Sequence, residues 1–389
     1  SPSNSPKPGS ATTMNGCPLS FNAADAEAIK SISALHPRRL SLDIIRTIAI
    51  FTVVLIHVFQ STYAGTPGMG AGGSLPLAMA TYLGRLGVPL FLFLSGTLLL
   101  NKRFENDTDV LRFYRHNFLP LLLTVEVWCS LYTFWLWGTG AEDADPLVLL
   151  TRLLFFEQLP VAHWWYMPMI LGIYLVVPLI AMVVQRVSFK IAAVPLVIVS
   201  INCILIPTIN GVLEPMGIRP VDTMVLDSTF YGGNYGIYLV LGYYLDRCGL
   251  LRRVPGWALV IGFGVSAYLG VYEGFVGISL WYNNLWVFLG ALLLFELLSR
   301  RDADGALCQA GPVTSSRAVA LVTWVSTTSF GIYLCHMMFL PYVQAVFASI
   351  GPIAIRSLIC TLILFGVSIA FVSLVRLAVP LRRALFDMK

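Results

Sequence analysis

An all-α bundle of about ten membrane-spanning helices is the fold this sequence predicts, and three observations predict it. Hydrophobic residues make up 57% of the 389 and charged residues only 12%, against about 25% charged in ordinary soluble domains. The polar surface is too small to cover a water-soluble globule. The apolar runs are numerous and about 20 residues long, the length of a helix across a bilayer rather than the ten-residue alternating segments of a membrane barrel. Finally, the basic residues between the runs collect on one side.

Residues 1–40 are rich in Ser, Pro, Asn and Ala, lack an apolar run long enough for a signal peptide and end in His36-Pro37-Arg38-Arg39. They read as a flexible cytoplasmic tail. Residues 41–380 read as one transmembrane domain and 381–389 as a second short cytoplasmic tail. Spans are expected at 42–62, 77–100, 118–138, 164–185, 190–208, 235–248, 255–272, 281–298, 318–340 and 352–377. An even number puts both termini on the same side. One set of connections holds Arg38, Arg39, Lys102, Arg103, Arg112, Arg115, Arg186, Lys190, Arg247, Arg252, Arg253, Arg300, Arg301, Arg317, Arg382 and Arg383; the other holds Arg152, Arg219 and Arg356. The positive-inside rule makes the first set cytoplasmic. The opposite loops, 139–163 and 209–234, are acidic and are expected to form ordered caps. The seven cysteines form no C-x-x-C pair, so they read as small core residues, and no metal site is expected.

Chemistry-bearing residues are few. Arg46 and His57 lie eleven residues apart in the first run; at about 100° per residue that is roughly three turns, so both point to one face about 16 Å apart. An ionisable residue at bilayer depth normally faces the bundle interior and marks a pathway or a reactive site. Asp43 is placed to pair with Arg46, though both could simply anchor the helix end by snorkelling. Arg85 falls at nearly the depth of His57. If the two are neighbours, they could take a proton from a hydroxyl and hold a developing oxyanion. Glu126, inside the third run, must be protonated or partnered by a cation such as Arg46.

Two further clusters carry alternatives. Lys102, Arg103, Arg112 and Arg115 lie in one basic connection, and Arg112 and Arg115 share a face of a short helix entering the third span. They suit either phosphate recognition or ordinary anchoring. His163, Trp164, Trp165 and Tyr166 open the fourth span, as an aromatic belt at the membrane interface or as a platform for sugars. His336, near the end of the ninth span, reads as structural.

These stretches together resemble the acyltransferase-three family of bacterial integral membrane proteins. The matching elements are Leu42-Asp43-Ile44-Ile45-Arg46 with His57 eleven residues on, Gly87-Val88-Pro89-Leu90-Phe91-Leu92-Phe93-Leu94-Ser95-Gly96, Arg112-x-x-Arg115, His163-x-Trp165-Tyr166, and Ser329-Phe330-Gly331-Ile332-Tyr333-x-x-His336. They occur in order and in fitting topological places, and the chain looks most similar to members that O-acetylate surface polysaccharides. The resemblance implies a multi-pass protein of the bacterial inner membrane that moves acetyl from cytoplasmic acetyl-CoA to a glycan or lipid-linked saccharide across the membrane. Its partners would be those substrates and membrane lipids, with no nucleic acid. It makes Arg46 and His57 the essential pair and Arg112 and Arg115 functionally important; joined to the reading of the residues, Asp43 stands beside the pair and the coenzyme A phosphates fall to Arg112 and Arg115 with Lys102 and Arg103. The acceptor or transition state would then fall to Arg85, Glu126, His163, Trp164, Trp165 and Tyr166. Two rivals stand beside this reading: a transporter or flippase using His57, Arg85 and Glu126 as a relay, and the same enzyme with another donor such as succinyl-CoA.

Overall fold

The computed structural model describes residues 39–65, 72–222, 233–303 and 314–377. Nearly all of the expected N-terminal tail, the end of the 209–234 cap and the whole C-terminal tail lie outside them. In order, the helices are α1 (Leu40–Ala64), α2 (Leu75–Arg85), α3 (Gly87–Leu99), α4 (Asp107–Phe113), α5 (Leu119–Gly138), α6 (Pro146–Leu153), α7 (Tyr166–Val184), α8 (Phe189–Ser200), α9 (Ile206–Leu213), α10 (Gly233–Cys248), α11 (Gly256–Phe275), α12 (Leu285–Ala303), α13 (Thr314–Val346) and α14 (Ile353–Val375). No strand occurs among the described residues.

Eight spans are long and apolar enough to cross a membrane: Leu40–Ala64, Leu75–Leu99, Asp107–Gly138, Tyr166–Val184, Phe189–Met216, Gly256–Phe275, Arg317–Val346 and Ile353–Val375. The other two expected spans are present as helices but fall short of that measure. α10 has only 16 residues, and α12 carries Glu296 and, at its end, the charged run Arg300-Arg301-Asp302. The chain is therefore a polytopic helical bundle.

Local chemistry sets the boundaries. Ser74, Asn106 and Asp145 cap α2, α4 and α6 with side-chain oxygens that accept backbone N–H bonds, and Pro76 and Pro146 occupy first-turn positions. The second span is interrupted at Leu86, where Pro89 has no N–H to offer the carbonyl four residues back, that of Arg85. π-helical turns at Tyr114–Phe118 and Ile201–Leu205 interrupt the third and fifth spans. Pro120 and Pro207 follow them closely, so the turns absorb the carbonyls those prolines leave unbonded.

The first helix is the hub. α1 packs against α2, α3, α12, α13 and α14, and its face is paved with fully buried Ile45, Ala49, Ile50, Val54 and Val58. α3 meets α10 at backbone distance. A Cβ on Gly96 would collide with the Leu239 carbonyl oxygen, and one on Gly242 would collide with that of Phe93. Only glycine permits such an approach, and the dispersion attraction between backbones this close replaces the hydrophobic drive that lipid does not supply.

α5 and α7 are tied to this group chiefly through side chains. Tyr132 donates to the Leu334 carbonyl at 2.7 Å, Tyr333 donates to the His163 carbonyl, and the Gln185 amide donates to the carbonyls of Leu100 and Lys102 at 2.6 and 2.8 Å. Where backbones stay apart, a cavity remains.

Candidate active site

Three histidines from distant parts of the chain meet at one point. His57, on α1, lies 5.4 Å from His336 of α13 and 6.2 Å from His163, measured between ring centroids; His163 and His336 are 4.9 Å apart. His163 and His336 are buried, at 1% and 0% exposure, while His57 is half-buried. Consecutive turns at Val161–Trp164 and Trp164–Met167 turn His163 inward, just before α7 begins. The cluster is enclosed by Tyr132, Trp164 and Tyr333, whose rings lie 5.6, 6.1 and 5.0 Å from that of His163.

A cavity of about 380 Å³ leads up to this cluster between α1, α3 and α13 on one side and α5 and α7 on the other. Arg46, Ser95, Asn117, Tyr166, Ser329 and Tyr333 are among its walls. Its Arg46 end is held by a buried polar knot. Ser326 donates to Asp43 at 2.6 Å, and Arg46 Nη1 lies 3.1 Å from Ser326 Oγ and 3.4 Å from Asp43 Oδ1. Asp43, at 3% exposure, is thus both neutralised and hydrogen-bonded. Its other end stops at Tyr166 and Tyr333, 5.4 Å apart, the second of which touches His163 and His336.

The basic connection frames the mouth near Asn117. Lys102 Nζ donates to Asn117 Oδ1 at 3.0 Å and sits 5.4 Å over the Phe113 ring. Arg103 lies 3.9 Å from Glu105 and Arg112 3.0 Å from Asp109, both on the surface. Arg115 is exposed, within the π-turn, and its side chain has no ion pair among the described residues.

A second cleft, about 310 Å³, lies beyond His57 along α1. Gln60, one turn after His57, lines it with Tyr63, Thr81, Arg85, Ser279 and Leu280. Arg85 does not reach outward to solvent. Its Nε donates to the Leu280 carbonyl at 3.0 Å, its Nη1 donates to the Tyr282 hydroxyl at 3.3 Å, and the guanidinium stands 4.1 Å over the Trp281 ring. Trp165 stacks with Trp281, Tyr282 and Tyr235 at 5.2–5.6 Å, so Arg85 and these four rings form one wall.

Several expectations change. Trp164 is 3% exposed and packs between Tyr132 and His163; it supports the cluster and offers no face to a sugar. The 163–166 segment is therefore not a simple interfacial belt, because its first two residues point into the core. Glu126 forms no ion pair with Arg46 or any other group among the described residues, since Asp43 and Ser326 hold Arg46. His336, read as structural, turns out to be part of the histidine cluster. The acidic cap also contains a knot with no sequence signature. Buried Arg152 forks onto Glu142 with two 2.8 Å bonds and reaches Glu157 at 3.3 Å. Among the described residues, no group of His, Cys, Asp and Glu is arranged to hold a metal ion.

The helices long and apolar enough to cross a membrane, with an imidazole cluster drawn together from α1, the turn before α7 and α13, define the class: a polytopic helical membrane protein. The chain belongs to the acyltransferase-three family, whose model, an acyltransferase domain, matches residues 39–376. No curated protein and no solved structure gives a significant match. Membership makes the chain a membrane acyltransferase and favours acyl transfer over the transporter reading.

Proposed function

We propose that the protein transfers acetyl from cytoplasmic acetyl-CoA to a hydroxyl of a cell-surface or lipid-linked glycan on the far side of the bacterial inner membrane, with His57 at the reacting centre. The observation that carries this reading is the placement of the two cavities. One runs from Arg46 to Tyr166 and Tyr333 against the histidine cluster, and the other begins one turn past His57.

In this reading the donor's phosphates lie against the basic connection, with Lys102 and Arg103 at the rim and Arg112 and Arg115 outside it, and the thioester arm enters the first cavity past Arg46. The acceptor lies in the second cleft against Arg85, which suits the oxyanion, with Trp165 bracing the Trp281 and Tyr282 rings that seat Arg85, and with Tyr166 closing the donor cavity on the other side. The acceptor oxygen attacks the thioester carbonyl, its proton passes to His57, the C–S bond breaks and the thiolate takes the proton back. In the alternative order, His57 first takes the acetyl group itself and the hydroxyl then displaces it. Radiolabelled acetyl-CoA without acceptor separates the two, since only the second leaves label on His57.

The test of the function is mass spectrometry of surface glycans from a deletion strain restored with wild type or with His57→Ala. Acetyl present with the first and absent with the second supports the proposal. Unchanged acetylation across all strains overturns it, and a succinyl mass in its place reassigns the donor.

A further inference from the structure

We propose that His336 is a positioning residue for His57: its Nε2 accepts the N–H of the His57 ring, which leaves the other His57 nitrogen as the reacting lone pair. The proposal rests on the reading of His57 as the reacting residue, and it begins from the tautomer of His336. Nδ1 of His336 lies 2.7 Å from the Tyr333 carbonyl oxygen and 3.0 Å from that of Ile332. Carbonyl oxygens only accept, so Nδ1 must carry the proton. In an uncharged ring the lone pair is then on Nε2.

That Nε2 is fully buried and has no hydrogen-bond partner among the described residues. A buried acceptor without a donor carries its full desolvation penalty, so a group left in that state implies a donor that arrives. Two rings border it: His163, 4.9 Å away but turned edge-on at 65° and itself without a partner at either nitrogen among the described residues, and His57, whose smaller angle brings an N–H closer to the plane of the His336 lone pair. The His57 centroid is 5.4 Å from that of His336, with 38° between the planes, and an N–H···N bond between imidazoles needs centroids roughly 5 Å apart. A rotation of His57 about its own side chain closes the remainder.

The arrangement resolves a problem set by the bilayer. A catalytic imidazole needs a partner that fixes its tautomer and steadies the ring as it takes a proton. A carboxylate does this in the Ser-His-Asp arrangement, but deep in a membrane bundle its charge would itself have to be neutralised. A neutral histidine, locked by two backbone carbonyls of its own helix, gives the same orientation without burying a charge.

The test uses carbethoxylation by diethyl pyrocarbonate, in which a histidine nitrogen lone pair attacks the reagent's carbonyl carbon, displaces ethyl carbonate and loses the ring proton. Purified full-length protein in detergent is labelled and the rate at His57 is read by peptide mass spectrometry, with exposed His116 as internal reference. His336→Met, of similar bulk but without the acceptor, should slow labelling of His57 about tenfold, the loss of roughly one hydrogen bond. His336→Gln, whose Oε1 can accept, should restore most of it, and His116 should label equally throughout. His336→Leu replaces His336→Met if the latter does not elute as a single species.

Wild-type rates in His336→Met, equal slowing in His336→Met and His336→Gln, or slowing in His163→Met alone would each overturn the proposal. No acyl donor or acceptor takes part, so the outcome is separate from the proposed reaction. Failure of the wild type to consume acetyl-CoA would unseat the donor assignment and leave the role of His336 standing.

Discussion

Replacing Asp43 by Asn removes the one negative charge in the knot that holds Arg46 at the cavity wall. The charges stand 3.4 Å apart, which at an effective dielectric of about 20 corresponds to about 5 kcal/mol of attraction. Three things reduce the net effect. The Arg46 side chain is 26% exposed, Ser326 still bonds to it, and an Asn oxygen still accepts from Ser326. Complete loss of a buried partner costs about 3–5 kcal/mol, so Asp43→Asn should destabilise by about 2 kcal/mol. Ser326→Ala, which removes hydrogen bonds but no charge, should cost about 1 kcal/mol. The double variant should fall short of the sum because both changes cut the same network. With its anchor gone, Arg46 swings away from the donor path, and KM for acetyl-CoA should rise about tenfold, the loss of part of one charge-assisted bond. Thermal unfolding in detergent and donor kinetics on the same preparations provide both readouts. A wild-type Tm together with a wild-type KM in Asp43→Asn would refute the claim that this knot aims Arg46.

Other perturbations test other parts of the molecule. Arg152 bonds to the Glu142 carboxyl and holds it below its ordinary value, burial opposing. Its contribution to stability is therefore complete above the unfolded value of about 4.3 and is lost as pH falls through the lower folded value. Glu142→Gln should lower Tm at pH 7 by the equivalent of about 1–2 kcal/mol and flatten the acid limb of Tm against pH; an unchanged acid limb counts against the Arg152 knot. Gly96→Ala should push α3 from α10, cost about 1–3 kcal/mol or more by overpacking, and cut the yield of monodisperse protein on size exclusion. Arg115→Ala should raise KM for acetyl-CoA more than Arg112→Ala, whose guanidinium is already engaged by Asp109. The gap should narrow at high salt, since exposed charges are screened.

What the sequence made legible follows the reach of helical periodicity. Arg46 and His57 share one helix, so their spacing alone placed them on one face, and Asp43 with Arg46 followed from the same rule. Span positions came from run length in the same way. The break at Leu86 hangs on Pro89, which was readable but looked like one more apolar residue in a continuous run. The histidine cluster is different in kind. His57, His163 and His336 are drawn together by α1, the turn before α7, and α13, and no local pattern states that three such segments converge. For the same reason Ser326 as partner of Asp43, and Trp281 and Tyr282 as the seat of Arg85, left no local trace. His336 looked inert because a lone histidine near a helix end usually is.

The position of the site on α1 has a physical cause that joins these observations. A reacting group inside a bilayer must be reached from both faces, yet every polar atom there must be satisfied by protein. A helix packed on five neighbours meets the second demand, and α1 is that helix. Access then has to come from its flanks. On one flank the backbones of α5 and α7 stay clear of α1, α3 and α13, leaving the cavity that starts at Arg46; on the other, the cleft at Gln60 opens between α1, α2 and the 277–280 segment. Closing either gap with bulk should therefore stop acyl transfer while leaving the bundle folded. Ser95→Phe, in the first cavity, should abolish donor turnover, and Thr81→Trp, in the second cleft, should spare donor binding and block the acceptor. If Thr81→Trp instead raised the donor KM and Ser95→Phe did not, the two flanks would have the opposite assignments.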